Sequence, residues 1–175
     1  WAIDFVKQRL FWWPSEKAAK SRVTLADMDG PVFQLKGAKH ITLQGLVIEG
    51  TLGNAIEILD GEGCAVVGCE IKCVGKNGVV IKGGTAHRVQ SCDLHTLGHG
   101  GILLGGGVRE TLTPCGHIAD NNHIHHYALG KKIWSPGIVC GVNDAGYACG
   151  CVVTHNLIHD SPHAAITYGG NDHRI

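Results

Sequence analysis

What this chain has little of narrows its class quickly. Its 15 basic and 15 acidic residues cancel, so no bulk field recruits nucleic acid or an anionic membrane surface. No apolar run approaches the roughly 18 residues that a membrane span needs. No CxxC pair matches a zinc-site pattern, since Cys149-Gly150-Cys151 is a CxC with no second pair. An initiator Met and a signal peptide are lacking too. The chain opens at Trp1 and stops at Ile175 in mid-pattern and so reads as a piece of a longer protein, in which a missing address says nothing about location.

What is plentiful is glycine, at 26 of 175 residues, about twice average usage. With only 17% charged residues, this is the composition of many tight turns and short buried strands rather than of a helical bundle. The length favours one domain. Eight Cys are present, and Cys69 and Cys92 fall at the same place in the repeat described next. That favours buried free thiols, which behave as small hydrophobes, over disulfides or metal ligation.

One short pattern recurs five times. Asn156-Leu157-Ile158-His159 has counterparts in Asn122-His123-Ile124-His125, Cys92-Asp93-Leu94-His95, Cys69-Glu70-Ile71-Lys72 and, more loosely, Leu46-Val47-Ile48-Glu49, at spacings of 34, 30, 23 and 23. Each copy has an early apolar strand, a second strand at this anchor, a glycine-containing turn and a third strand. The third strands align as Ala55–Ile58, Gly78–Ile81, Gly101–Leu104, Gly137–Cys140 and Ala165–Tyr168. Three short strands per repeat bury no face alone, but stacked coil on coil they form a continuous core. The fold class is therefore all-β, a parallel β-helix of about five coils over residues 37–175. Residues 1–36 are set apart as a β-hairpin (WAIDFV and LFWWP) and a polar connector that flank or cap it. Trp1, Trp12 and Trp13 are expected to plug or flank the core rather than to stack on sugars.

Alternation within the strands sorts the columns. Ile48, Ile71, Leu94, Ile124 and Ile158 point inward with Leu46, Cys69, Cys92, Asn122 and Asn156, the two Asn as a ladder of satisfied amides. Glu49, Lys72, His95, His125 and His159 form an outward column. The repeat swells at the turn that follows. Counting back from the third strand puts His99, Ser135 and His163 at one corner, which is expected to gather His95, His99, His125, His126, Lys131, Lys132, Trp134, His159, Asp160 and His163, with Tyr127 beside Trp134. A second expansion sends Arg109, Glu110, Asp144 and Tyr147 to another edge. Asp172, in GGNDH, reads first as a turn residue and second as a catalytic one.

The His-rich corner offers one carboxylate, Asp160, with no clear partner, whereas glycoside hydrolysis needs two and a calcium-assisted lyase several. Outward imidazoles on parallel strands, without a recurring carboxylate-His-His spacing, do not suggest a metal, and no cofactor is implied. A wet groove of His95, His99, His125, His126, Lys131, Trp134, His159 and His163 instead suits sugar hydroxyls and uronic carboxylates.

The stacked coils resemble right-handed, pectate-lyase-like β-helices, and the right hand comes from that resemblance. The segments GHIADNNHIHHYALGKKIWSPGIVCG and VVTHNLIHDSPHAAITYGGNDHRI, with Trp1-Ala2-Ile3-Asp4 and Leu10-Phe11-Trp12-Trp13-Pro14, are similar to bacterial β-helix proteins grouped with the glycoside hydrolase family of fucosidase and xylanase activities. The resemblance implies a secreted or periplasmic carbohydrate-active protein, a glycosidase ahead of a lyase, with a non-catalytic glycan-binding or tailspike-like module as the alternative. It also implies that members continue past GGNDH with a coil carrying acidic residues at the corner of His99, Ser135 and His163. His125, His126, His159, Asp160, His163, Asn171 and Asp172 match as site wall or structural turn. Asp160 and Asp172 are the catalytic candidates that the chain itself supplies. The expected partner is a polysaccharide or oligosaccharide, with neither nucleic acid nor membrane. Unpaired strand edges at the open ends are expected to favour self-association or capping by another chain.

Overall fold

The structure is a computed structural model that describes residues 2–4, 6–13, 23–141 and 146–175. Trp1, the connector at 15–22 and Asp144 lie outside the described residues. At the N-terminus β1 (Ala2–Asp4) pairs antiparallel with β2 (Arg9–Phe11). Trp12 and Trp13 follow it exposed, Trp13 at 93%, so these two indoles do not plug the core as the sequence suggests.

Every sheet after the hairpin is built by parallel pairing across coils. The first sheet stacks β4 (Thr42–Gln44), β7 (Ala65–Val67), β10 (Arg88–Gln90), β13 (Ile118–Asp120) and β17 (Val152–Thr154). The second stacks β5 (Val47–Ile48), β8 (Glu70–Val74), β11 (Asp93–Leu97), β14 (His123–His125) and β18 (Leu157–His159). The third holds six strands, β3 (Phe33–Lys36), β6 (Ile56–Leu59), β9 (Val79–Lys82), β12 (Ile102–Gly105), β15 (Ile138–Cys140) and β19 (Ile166–Tyr168). A small pair, β16 (Ala148–Cys149) and β20 (Gly170–Asn171), lines a fourth edge. No helix occurs among the described residues. The boundary drawn at 36/37 needs correction. Phe33 pairs with Ile56 in the third sheet, and Met28 already bridges Thr51, because the alternation in Val32-Phe33-Gln34-Leu35 serves the same core.

The inward columns are as the alternation requires. Ile48, Ile71, Leu94 and Ile124 are buried in one core, against which Ile158 packs. The corners that separate the sheets use left-handed backbone at matching positions of successive coils. After the second sheet these are Gly50, Cys73, Thr96, His126 and Asp160, and at the corner before the first sheet His40, Gly63, Ala86, Gly116, Gly150 and Asp172. Non-glycine residues tolerate this strained region only where their surroundings fix it. Close approach also dictates Gly101, where a Cβ would lie 2.8 Å from the Ile124 side chain.

Polar ladders satisfy the corners. Asn122 Oδ1 accepts the Cys92 N–H (3.1 Å), while Asn122 Nδ2 donates to Val89 O (3.0 Å) and Asn156 Oδ1 (2.9 Å). An imidazole ladder that the alternation did not single out runs beside it. Cys64 N–H donates to His87 Nδ1 (3.0 Å), His87 N–H to His117 Nδ1 (3.2 Å) and Cys151 N–H to His173 Nδ1 (3.2 Å). All eight cysteines are free and only Cys73 is exposed. Burial pushes the Cys92 thiol up to about 11, so it packs as a protonated hydrophobe.

Removing a ladder amide strands its partners. Asn122→Ala is expected to lower stability by about 2–4 kcal/mol, because it leaves a buried N–H and a buried carbonyl unpaired. Urea unfolding followed by circular dichroism measures it, and an unchanged midpoint would rule out the ladder as a stabilising element.

Candidate functional site

The second sheet turns two columns of side chains outward. One holds Lys72, His95, His125 and His159, each in register with the next. Its neighbour, two residues earlier on each strand, holds Glu70, Asp93, His123 and Leu157. The first column follows from the sequence pattern. The second went unnoticed, although it occupies the second letter of the same anchor tetrapeptides and supplies the carboxylates that the corner otherwise lacks.

Parallel pairing in register stacks the rings. His95 lies on His125 at 5.0 Å between centroids and His125 on His159 at 5.4 Å, with interplanar angles of 14° and 6°. Across the columns His123 stacks on His125 at 4.3 Å. Carboxylates interleave with the rings. Glu70 Oε1 takes Lys72 Nζ at 2.7 Å and faces His95 Nε2 at 3.4 Å, while His95 Nδ1 lies 3.0 Å from Thr96 Oγ1. Asp93 Oδ1 lies 3.2 Å from His123 Nδ1 and 3.3 Å from His125 Nε2. His123 Nε2 meets His159 Nε2 at 2.8 Å, His159 Nδ1 meets Asp160 Oδ2 at 2.9 Å, and His125 Nδ1 meets His126 Nδ1 at 2.7 Å. His126 and Asp160 reach back to the columns because both stand at the left-handed corner.

The expected corner is thus divided. His95, His125, His126, His159 and Asp160 come together. His99 instead lines a depression of about 260 Å³ with Lys76, Asn77 and Lys82, on the outer side of the third sheet. His163 supports the enlarged fourth turn, where its Nε2 accepts the Trp134 N–H at 3.1 Å. Lys131 is exposed, with its N–H bound to Gly98 O. Trp134 is exposed, but Tyr127, expected beside it in a groove, is 1% exposed. Its hydroxyl donates to Ala164 O at 3.1 Å, so it fills the core that the longer turn opens. Asp172 stands apart at its own left-handed corner, 4.0 Å from Cys149 Sγ, which fits the turn role and removes it from the histidine face. At that edge Arg109 Nε donates to Asn171 Oδ1 (3.1 Å) and its guanidinium lies over the Tyr147 ring.

Charge on the face follows from these contacts. The Lys72 ammonium, then His95, hold the Glu70 carboxyl below the usual carboxylate range, and His159 does the same for Asp160. Burial, then the neighbouring His123, lowers His125 below the ordinary imidazole value. The unfolded chain therefore takes up a proton near the ordinary 6.5 that folded His125 resists, and stability is expected to fall as the pH drops below about 6.5. Glu70 and Asp160 keep their contribution through that window and lose it only as the pH falls through their lowered values. Histidine side-chain NMR checks the first step, since a His125 midpoint at or above an ordinary imidazole's would contradict it.

Comparison with known proteins supports the architecture. No curated protein sequence matches the chain significantly. Among solved structures, the alginate lyase from Paenibacillus sp. str. FPU-7 superposes with a TM-score of 0.58 over 90% of this chain at 16% identity. The chain spans 62% of that protein's length, and at this identity the likeness establishes the fold alone. The profile described as "Right handed beta helix region" matches residues 10–175. With its coils paired in parallel and in register, the chain belongs to the right-handed β-helix family.

Proposed function

We propose that this β-helix binds an acidic polysaccharide along the outer face of its second sheet and cleaves it by β-elimination. The observation that carries this reading is the Glu70–His95 pair, flanked by the Lys72 ammonium. A carboxylate that accepts the Nε2 proton leaves the lone pair on Nδ1, the arrangement that makes an imidazole a general base. The Thr96 hydroxyl beside Nδ1 occupies the place a substrate proton would take. In the reaction His95 removes the proton α to the uronate carboxylate, the C4–O bond breaks, and a C4–C5 double bond forms. The leaving oxygen takes a proton from the imidazolium or from water, and no redox partner is needed.

Hydrolysis, which the sequence favours, fits less well. A glycosidase needs one carboxyl raised enough to remain a proton donor, and Glu70 and Asp160 are both lowered. That an alginate lyase shares this fold supports the same choice. A polymeric substrate of this kind supports a secreted or periplasmic location.

The test is incubation of the chain with uronate polymers and with neutral polysaccharides, following the ultraviolet absorbance of the unsaturated product. His95→Gln is expected to lower the rate about 10²–10⁴-fold, the range for a lost general base, with binding retained. Glu70→Gln should lower it less and shift the pH profile. Binding of a uronate polymer without unsaturated product would make the protein a lectin-like module, and reducing ends without unsaturation would make it a hydrolase.

A further inference from the structure

We propose that Asp93, His123 and His125 form a binding site for a divalent transition-metal ion of the zinc class, with Asp93 Oδ1, His123 Nδ1 and His125 Nε2 as its ligands. The three atoms lie within 4.8 Å of one another. The carboxylate oxygen is 3.2 Å and 3.3 Å from the two nitrogens. Ligands about 2.1 Å from a tetrahedral ion are about 3.4 Å apart. The sequence suggests no metal, because outward imidazoles on parallel strands are not arranged tetrahedrally and no carboxylate-His-His spacing recurs, yet two of them stand close to one carboxylate. They do so because His123 and His125 are alternate residues of one strand and Asp93 is the in-register neighbour of His123.

Two further observations point to an ion rather than to ion pairing alone. Asp93 Oδ1 is buried and has no hydrogen-bond partner, although two ring nitrogens stand beside it. Neither nitrogen donates to it, although both stand within ion-pair distance. The proton positions on the remaining ring nitrogens agree. The Asp160 carboxylate requires the proton of His159 on Nδ1, so His159 Nε2 accepts from His123 Nε2–H at 2.8 Å, and the lone pair of His123 is on Nδ1. A His125 proton on Nδ1, donated to His126 Nδ1 at 2.7 Å, leaves the lone pair of His125 on Nε2. With that tautomer both lone pairs lie on the atoms nearest Asp93. If His123 Nδ1 instead donated to Asp93, two bare Nε2 lone pairs would face each other at 2.8 Å unless an extra proton were shared. His126, His159 and Asp160 thus act as the outer partners that fix ring tautomer and orientation around a metal.

Two imidazoles and one carboxylate with open positions suit zinc, cobalt or iron(II), and are poor in oxygen for calcium, which takes six to eight. His95 stacks on His125, so an occupied site sets a fixed positive charge one coil from the Glu70–His95 pair. That last role rests on the polysaccharide reading, whereas the site itself rests on ligand geometry alone.

Isothermal titration of the full chain with Zn²⁺ is expected to give saturable one-to-one uptake reversed by chelator, and Co²⁺ a low-symmetry visible spectrum, with Ca²⁺ silent. Asp93→Asn and His125→Asn should each weaken Zn²⁺ by at least about 100-fold, and Asp160→Asn by about 10–100-fold as an outer partner. His155→Asn, which removes an exposed imidazole elsewhere, should change nothing. In the unmodified protein, substoichiometric Co²⁺ should selectively shift the His123 and His125 side-chain resonances, a readout that needs no variant to fold. Absence of saturable Zn²⁺ uptake, uptake indifferent to Asp93→Asn, or Co²⁺ effects centred on other histidines would overturn the proposal. None of these readouts involves polysaccharide, so the elimination reading stands or falls separately.

Discussion

Register is the constraint on which the rest of this molecule depends. Every strand of the three long sheets pairs in parallel with the same relative position one coil away, as Leu94 with Ile71 and Ile124. Side chains at a given position must therefore stack at the roughly 4.8 Å spacing of a β-ladder. Whatever residues share a column are therefore brought into contact along the axis. Apolar columns become a core, amide columns become a ladder, and a column of imidazoles becomes a face.

Such a face carries an electrostatic cost that the neighbouring column offsets. Two unit charges about 5 Å apart repel by roughly 1 kcal/mol in water and about 3 kcal/mol at an effective dielectric of 20. A fully protonated stack of His95, His123, His125 and His159 would sum several such terms. Glu70, Asp93 and Asp160 stand among the rings instead, and burial, then the neighbouring His123, lowers His125 below the ordinary imidazole value. The rings are thereby held in fixed positions by the carboxylates among them. Positioned proton acceptors and metal ligands need that condition, and a surface that merely repels or attracts charge does not.

Much of this was legible in the letters, and what was not had three physical reasons. Period 2 around Ile71, Leu94 and Ile124 identified the inward column, and the third-strand alignment agrees with the observed pairing of Val79, Ile102 and Ile138. Asp93 and His123 were missed because attention to the most repetitive outward letter hid the less uniform one beside it. That column runs Glu, Asp, His, Leu, and its chemistry emerges only when unlike residues are placed in contact. Asp160 illustrates the second limit. Its left-handed backbone, shared with Gly50 at the start of the column, turns a residue just past the strand back toward His159, and no strand periodicity reports that. Counting back from the third strand aligned the turns, as Gly101 N–H to Pro136 O and Gly137 N–H to Ala164 O show, but for a third reason it did not report the direction of His99, nor the burial of Tyr127, expected beside Trp134. Equal position along a turn does not mean equal direction when the fourth turn is longer, and there the extra chain is closed over by Tyr127 filling the core.

The lengthened fourth turn then gains a structural meaning. Insertions in a solenoid leave the paired strands unchanged and alter only the loops between them. Here the insertion keeps β14 in register with β11 and β18, so the histidine columns run through the swollen coil uninterrupted. Tyr127 fills the widened interior, and its hydroxyl ties the turn to Ala164. His163 secures the outer loop at Trp134, and Ser161 Oγ donates to Tyr127 O at 3.1 Å. These contacts all join the fourth turn to the fifth, and their neighbour in the chain is Asp160, the corner residue that orients His159. A change in the length or packing of this turn would therefore act on the face through Asp160 and His159.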